Sequence, residues 1–135
     1  MSDVADPGRK KPTQAEADLI CARHGRLWQA RPGGARAVFA WMHLSGLTLR
    51  GRNLADADFA AARLHNCDLA GAKLDNANFF GADMQDINLT DASLRRADLR
   101  GACLRGADLT GADLFEADLR EGTIAAADGK LGFRV

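Results

Sequence analysis

The side chains able to do chemistry in this chain of 135 residues are few: Cys21, Cys67 and Cys103, with His24, His43 and His65. Cys21 and His24 stand three apart, a spacing that brings two metal ligands onto one helical face. A zinc site needs at least a third protein ligand, and no other cysteine, histidine or carboxylate set stands nearby. Both residues also fall on an apolar helical stripe, where core packing is the ordinary role. His43 and His65 have no serine or cysteine partner at a spacing that makes a nucleophile–base pair. No glycine-rich loop is left to cradle a phosphate. No catalytic residue, metal ligand or cofactor is therefore assigned, and the chain reads as a non-enzyme. Three cysteines cannot all pair, so a disulfide framework is not expected. Cys103 should point outward as a reactive thiol, and Cys67 should be buried and inert.

What positions these side chains is a single pattern. An apolar residue stands at every fifth position: Phe39, Leu44, Leu49, Leu54, Phe59, Leu64, Leu69, Leu74, Phe79, Met84, Leu89, Leu94, Leu99, Leu104, Leu109, Leu114, Leu119 and Ile124. A period of five would scatter side chains around a helix, and in a strand it would send them to alternate faces. It works only if the chain turns a corner in every pentad, so that each fifth side chain points to one axis. Two places before this centre the residue is small, alanine at twelve of the eighteen positions. That position faces inward near a corner, where a methyl is about all that fits. Directly before the centre stands mostly Asp or Asn: Asn53, Asp58, Asp68, Asn78, Asp83, Asn88, Asp98, Asp108, Asp113 and Asp118. Alternation points these outward. Glycine recurs two places after the centre, at Gly51, Gly71, Gly81, Gly101, Gly106 and Gly111, where a corner needs positive φ.

The run Ala107-Asp108-Leu109-Thr110-Gly111-Ala112-Asp113-Leu114 resembles the pentapeptide-repeat family, whose consensus is Ala-(Asp/Asn)-Leu and two variable residues. The resemblance covers roughly residues 37–128. It implies an all-β solenoid, a right-handed four-sided β-helix with four pentads to a coil. Eighteen pentads would then make about four and a half coils, at roughly 4.8 Å per coil.

Ahead of the repeats, Thr13 and Glu16 fit a capping box that opens a helix. Ala17, Ile20, Cys21, His24, Leu27 and Trp28 make its apolar stripe, and Pro32-Gly33-Gly34 ends it. A helix with a His and a Trp, then Pro-Gly-Gly and a basic residue, also resembles the head of such proteins. The expected organisation is a flexible arm over 1–12, a capping helix and turn over 13–36, the β-helix over 37–128, and a C-terminal cap over 129–135. With only seven residues to close it, the C-terminal end is the expected site of any homodimer contact.

Charge is balanced overall but uneven: +3 over residues 1–43, −5 over 44–128 and +2 beyond. A mildly acidic rod argues against direct nucleic-acid binding. No apolar run reaches membrane-spanning length and no signal-peptide core opens the chain, so a cytoplasmic protein without a membrane partner is expected.

The period explains most Leu, Ala, Asp and Gly residues, so function is sought among its exceptions. Arg52 occupies an inward position and must either distort the first coil or escape toward the helix. Leu47, Cys67 and Ile87 replace alanine in one column, which widens one corner. Outward columns bring together Phe80, Arg95, Arg96, Arg100, Phe115 and Arg120, with Arg105 nearby. Exposed Phe and Arg are typical interface anchors, so this is the candidate interaction surface. In the competing reading the rings stack on neighbouring coils and the arginines pair with Asp75, Glu116 or Glu121. The Asp/Asn columns serve solubility and local hydrogen bonding, since a flat ladder does not converge on calcium. The expected function is a non-enzymatic protein-interaction module with an unidentified protein partner. The family resemblance supplies an alternative, a DNA-mimicking protein that binds gyrase and confers quinolone resistance.

Overall fold

The computed structural model describes residues 8–121. The first element is a helix, α1, Gln14–Trp28. Thr13 accepts a hydrogen bond from the Glu16 N–H, and Glu16 accepts one from the Thr13 N–H, closing the capping box. After the turn the chain passes close against the helix. A Cβ on Gly34 would lie 2.5 Å from the backbone nitrogen of Leu27, so only glycine fits there. The Ala35 N–H then bonds the Arg23 carbonyl at 3.0 Å.

From Val38 onward the chain winds into four columns of parallel bridges, each joining residues twenty apart. They run 38–58–78–98–118, 43–63–83–103, 48–68–88–108 and 53–73–93–113. On the first side, the Phe39 N–H donates to the Asp58 carbonyl at 2.7 Å, and the Asp58 N–H donates back to Ala37 at 3.0 Å. Each corner is a four-residue turn, closed at the first by the Met42 N–H on the Phe39 carbonyl at 3.1 Å. Its third residue has positive φ at all sixteen such positions from Trp41 to Glu116, seven of them glycine. That is the φ signature of a type II turn. The sequence shows this demand where Gly, Asn or Asp meets it; Trp41, Ala61, Arg96 and Glu116 meet it against their own preference.

The centres fill the axis. Phe39, Phe59 and Phe79 stack face to face, with centroids 5.1 and 4.9 Å apart. All three are fully buried, as are Leu44, Leu49, Leu54, Leu64, Leu69, Leu74 and Met84. The widened corner is also present: Cys67 and Ile87 are buried in register, and the Cys67 thiol donates to the Leu47 carbonyl at 3.2 Å. Arg52 does not enter the core. It reaches α1 and pairs with Asp18 at 2.9 Å, both groups partly exposed.

The described part of the expected flexible arm lies against the first two coils. The Arg9 guanidinium donates to the Ala61 carbonyl at 2.7 Å and sits over the Trp41 ring. The Lys10 carbonyl accepts from the His43 N–H at 2.8 Å, and Pro12 is buried. Pairing with backbone and an indole face gives these polar residues a reason to stay on the rod. The eighteenth centre, Ile124, and the expected C-terminal cap over 129–135 lie outside the described residues.

Candidate interaction surface

The Asp and Asn residues before the centres are occupied by the turns. In all ten, the side-chain oxygen accepts the N–H of the residue two positions on, as with Asp58 and Ala60 at 3.0 Å or Asn78 and Phe80 at 2.9 Å. These Asx turns hold each corner. The ladder is therefore structural, and the residues that remain are those beside it.

The six candidate residues fall into two neighbouring groups. On the side carrying Asp98 and Asp118, the Arg100 guanidinium lies 5.3 Å from the Phe80 ring and bonds Asp98 at 2.8 and 2.9 Å. Arg120 bonds Asp118 in the same way, at 2.7 Å for the shorter contact. At the corner leading into that side, Phe115 lies under two guanidinium groups, Arg95 at 4.6 Å and Arg96 at 5.6 Å. Arg95 pairs with Asp113 and Arg96 with Glu116, at 2.8 and 2.9 Å. Arginines thus stack on the rings and pair with carboxylates at once, and Glu116 is the only anticipated acid among their partners. Asp75 instead accepts a bond from Ser93. Phe115 remains 49% exposed and Phe80 37% exposed.

The pairs shift the carboxylates. Hydrogen bonds from the Arg120 side chain, then from its backbone N–H, bring Asp118 down to about 2. Asp98 is lowered chiefly by the side-chain bond from Arg100, and Asp113 by that from Arg95. The wall arginines are accordingly compensated, and this surface is a mosaic of aromatic faces and ion pairs with little net charge.

The other sites weighed from the sequence resolve differently. His24 is fully buried, and its Nδ1 accepts the Ala37 N–H at 2.9 Å. Nε2 therefore carries the proton and donates to the Ala55 carbonyl at 2.7 Å. The Trp28 indole N–H, 3.1 Å from the same nitrogen, cannot donate to it and is left with the Ala55 carbonyl at 3.3 Å. Both ring nitrogens of His24 serve the backbone where α1 meets the first coil. Burial pushes the Cys21 thiol up to about 11 and that of Cys67 up to about 12, which keeps both protonated and unreactive. Cys103 is partly exposed. Among the described residues no three His, Cys, Asp or Glu side chains cluster as a metal site, and no helix is long and apolar enough to cross a membrane.

The pentapeptide-repeat pattern matches in eight copies, in overlapping segments that together run from residue 35 to 124. The chain belongs to the pentapeptide-repeat family. Its repeats accordingly form a right-handed β-helix. A pentapeptide-repeat protein of the cyanobacterium Nostoc PCC 7120 superposes with a TM-score of 0.62 at 28% identity, covering 78% of this chain and 77% of the other. A pentapeptide-repeat protein of the Arabidopsis thaliana thylakoid lumen gives 0.55 at 34% identity, covering 62% and 61%. HetL of Nostoc sp. strain PCC 7120, involved in the regulation of heterocyst differentiation, is 40% identical over 57% of this chain, with a TM-score of 0.46. This pentapeptide-repeat protein spans only 38% of HetL. No curated protein matches it.

Sequence reasoning missed two exposed aromatics: Trp28, placed on the apolar stripe of α1 but 48% exposed, and Trp41, 65% exposed with φ +64°. For Trp41 the available signal was a tryptophan in the corner position that elsewhere favours Gly, Asn or Asp.

Proposed function

We propose that this pentapeptide-repeat protein is a non-enzymatic interaction module that binds a protein partner through Phe80, Arg95, Arg96, Arg100, Phe115 and Arg120. The observation that carries this reading is the half-exposed Phe115 ring held beneath two guanidinium groups. Nothing in the repeat requires it. Aromatic and arginine side chains already fixed in place lose little conformational entropy on docking, which favours a hot spot. In this reading about four and a half coils form a rigid rod, α1 closes its N-terminal end, and the wall is the working surface. Two thiols held unreactive in the core, and no disulfide among the described residues, agree with a reducing compartment such as the cytoplasm.

The same ion pairs weigh against mimicry of duplex DNA, because Asp98, Asp113 and Asp118 are matched by arginines and present no polyanionic stripe. The test is parallel affinity capture with the wild-type chain and with Phe115→Ala/Arg100→Ala. A protein retained by the first and at least about tenfold depleted with the second supports the surface. Equal recovery of every captured protein, with circular dichroism unchanged, sinks it. In a supercoiling assay, purified gyrase should be unaffected; inhibition or drug protection would restore the mimicry reading.

A further inference from the structure

The seam between α1 and the first coil is grooved. Two shallow clefts meet there at Arg36. One, about 300 Å³, has Leu27 and Trp28 on its wall with Asp56 at its edge. The other, about 170 Å³, lies between Ile20, Arg23 and Val38. Helix positions 20, 23 and 27 follow one line along α1, so the clefts form a single track. Among the described residues, five of the seven exposed large apolar side chains belong to α1 or the first coil: Leu19, Leu27, Trp28, Val38 and Trp41.

The charges differ as well. Arg50, Arg63, Arg95, Arg96, Arg100 and Arg120 on the repeat walls each face a carboxylate. Arg23 and Arg36 face none among the described residues. Arg36 commits only Nε, which donates to the Asp56 carbonyl at 2.6 Å, leaving both terminal nitrogens available.

We propose that this seam is a second docking site, for an acidic peptide segment carrying a bulky apolar side chain. The apolar side chain lies on Leu27 and Trp28, and a carboxylate is taken up between Arg23 and Arg36. The order follows from Asp56, an acidic residue lining the first cleft and disfavouring a second acid there, whereas Arg23 lines the other. Two planar guanidinium edges beside apolar recesses match carboxylates and side chains. A membrane surface would match a flat or convex apolar face instead.

The experiment is selection of phage-displayed random dodecapeptides on the full chain, followed by fluorescence polarisation with fluorescein-labelled synthetic peptides. Enriched peptides should place Asp or Glu beside Leu, Ile or Phe. Their affinity should fall about tenfold or more with Arg23→Glu/Arg36→Glu, the loss expected when a charge-assisted pair is removed. Leu27→Ser should weaken them too, with circular dichroism unchanged in both cases. Phe115→Ala should leave them untouched, so that failure here and failure of the wall reading are distinguishable. Absence of enrichment, enrichment without acidic residues, or equal affinity for the arginine variant overturns the proposal. So does arginine-dependent sedimentation with phosphatidylglycerol vesicles when no acidic peptide is selected, which assigns the seam to a membrane.

Discussion

His24 shows how a residue that invites a metal reading can be wholly consumed by architecture. Its ring accepts from Ala37, whose buried N–H has no other partner, and donates to Ala55, whose carbonyl also receives the Trp28 indole N–H. Replacing it with alanine orphans the Ala37 N–H and leaves Ala55 with Trp28 alone, and His24→Ala should cost about 1–3 kcal/mol in urea unfolding. A loss well under 1 kcal/mol would show that the seam re-satisfies itself. Asp118 makes a second argument at this scale, through pH. Its folded value of about 2 lies below its ordinary value of 3.8 because Arg120 bonds the ionised carboxylate. Between those values the unfolded chain holds the proton and the folded chain does not, so stability rises with pH. The contribution is complete above about pH 4 and is lost as pH falls toward 2. Asp118→Asn can still accept the Arg120 N–H and keep the turn, but it does not titrate. It should fold normally at pH 7 and flatten stability against pH between 4 and 2; an unchanged slope would refute the assignment.

The corners are the elements on which the coil depends, and two glycines separate their requirements. Gly51 has positive φ with open space around it, whereas a Cβ at Gly106 would lie 2.1 Å from an oxygen of the Asp86 carboxylate. Gly51→Ala should therefore cost about 1–2 kcal/mol, from backbone conformation alone. Gly106→Ala should cost at least as much, since the exposed Asp86 carboxylate must also swing aside, and a smaller thermal shift than at Gly51 would contradict the contact. These corners also mark where the sequence was legible. The period of five, the Thr13–Glu16 box and the inward alanines each follow from a residue type at a fixed place, so architecture could be read directly. Partner choice could not. The period places Arg52 inward, but only the docked helix supplies Asp18 to draw it out. It places Arg95 and Arg100 outward, but a column assignment does not say that their rotamers reach Asp113, Asp98 and the phenylalanine rings. Likewise Arg9 and Lys10 look like a polar arm until the backbone groups they meet on the first two coils are known.

At the scale of the whole molecule, register matters separately from length, because each coil touches only its neighbours. Deleting residues 60–79 removes one complete turn of twenty and returns every later residue to its own column. Phe39 still stacks under Phe59, and Ile87 comes to lie over Leu47 in the widened corner. Deleting 60–74 preserves the period of five but shifts everything after it by one side. Phe79 then rests on Leu44 instead of Phe59, and Ile87 is pressed into the column of Arg52, where the next coil now carries Ala72. The first deletion loses a coil's burial and brings Asp58 against Asp98 without the intervening Asn78, a repulsion that salt screens. The second loses less chain and also keeps Phe39 under Phe59, yet it sets Phe79 on Leu44 and overpacks a corner, a defect worth about 1–3 kcal/mol by itself. The shorter protein should therefore be the more stable of the two in urea, by about 1 kcal/mol or more in 0.5 M salt, with a single transition. If the fifteen-residue deletion is equally or more stable, the four sides are interchangeable, and the side-specific columns contribute nothing to the fold.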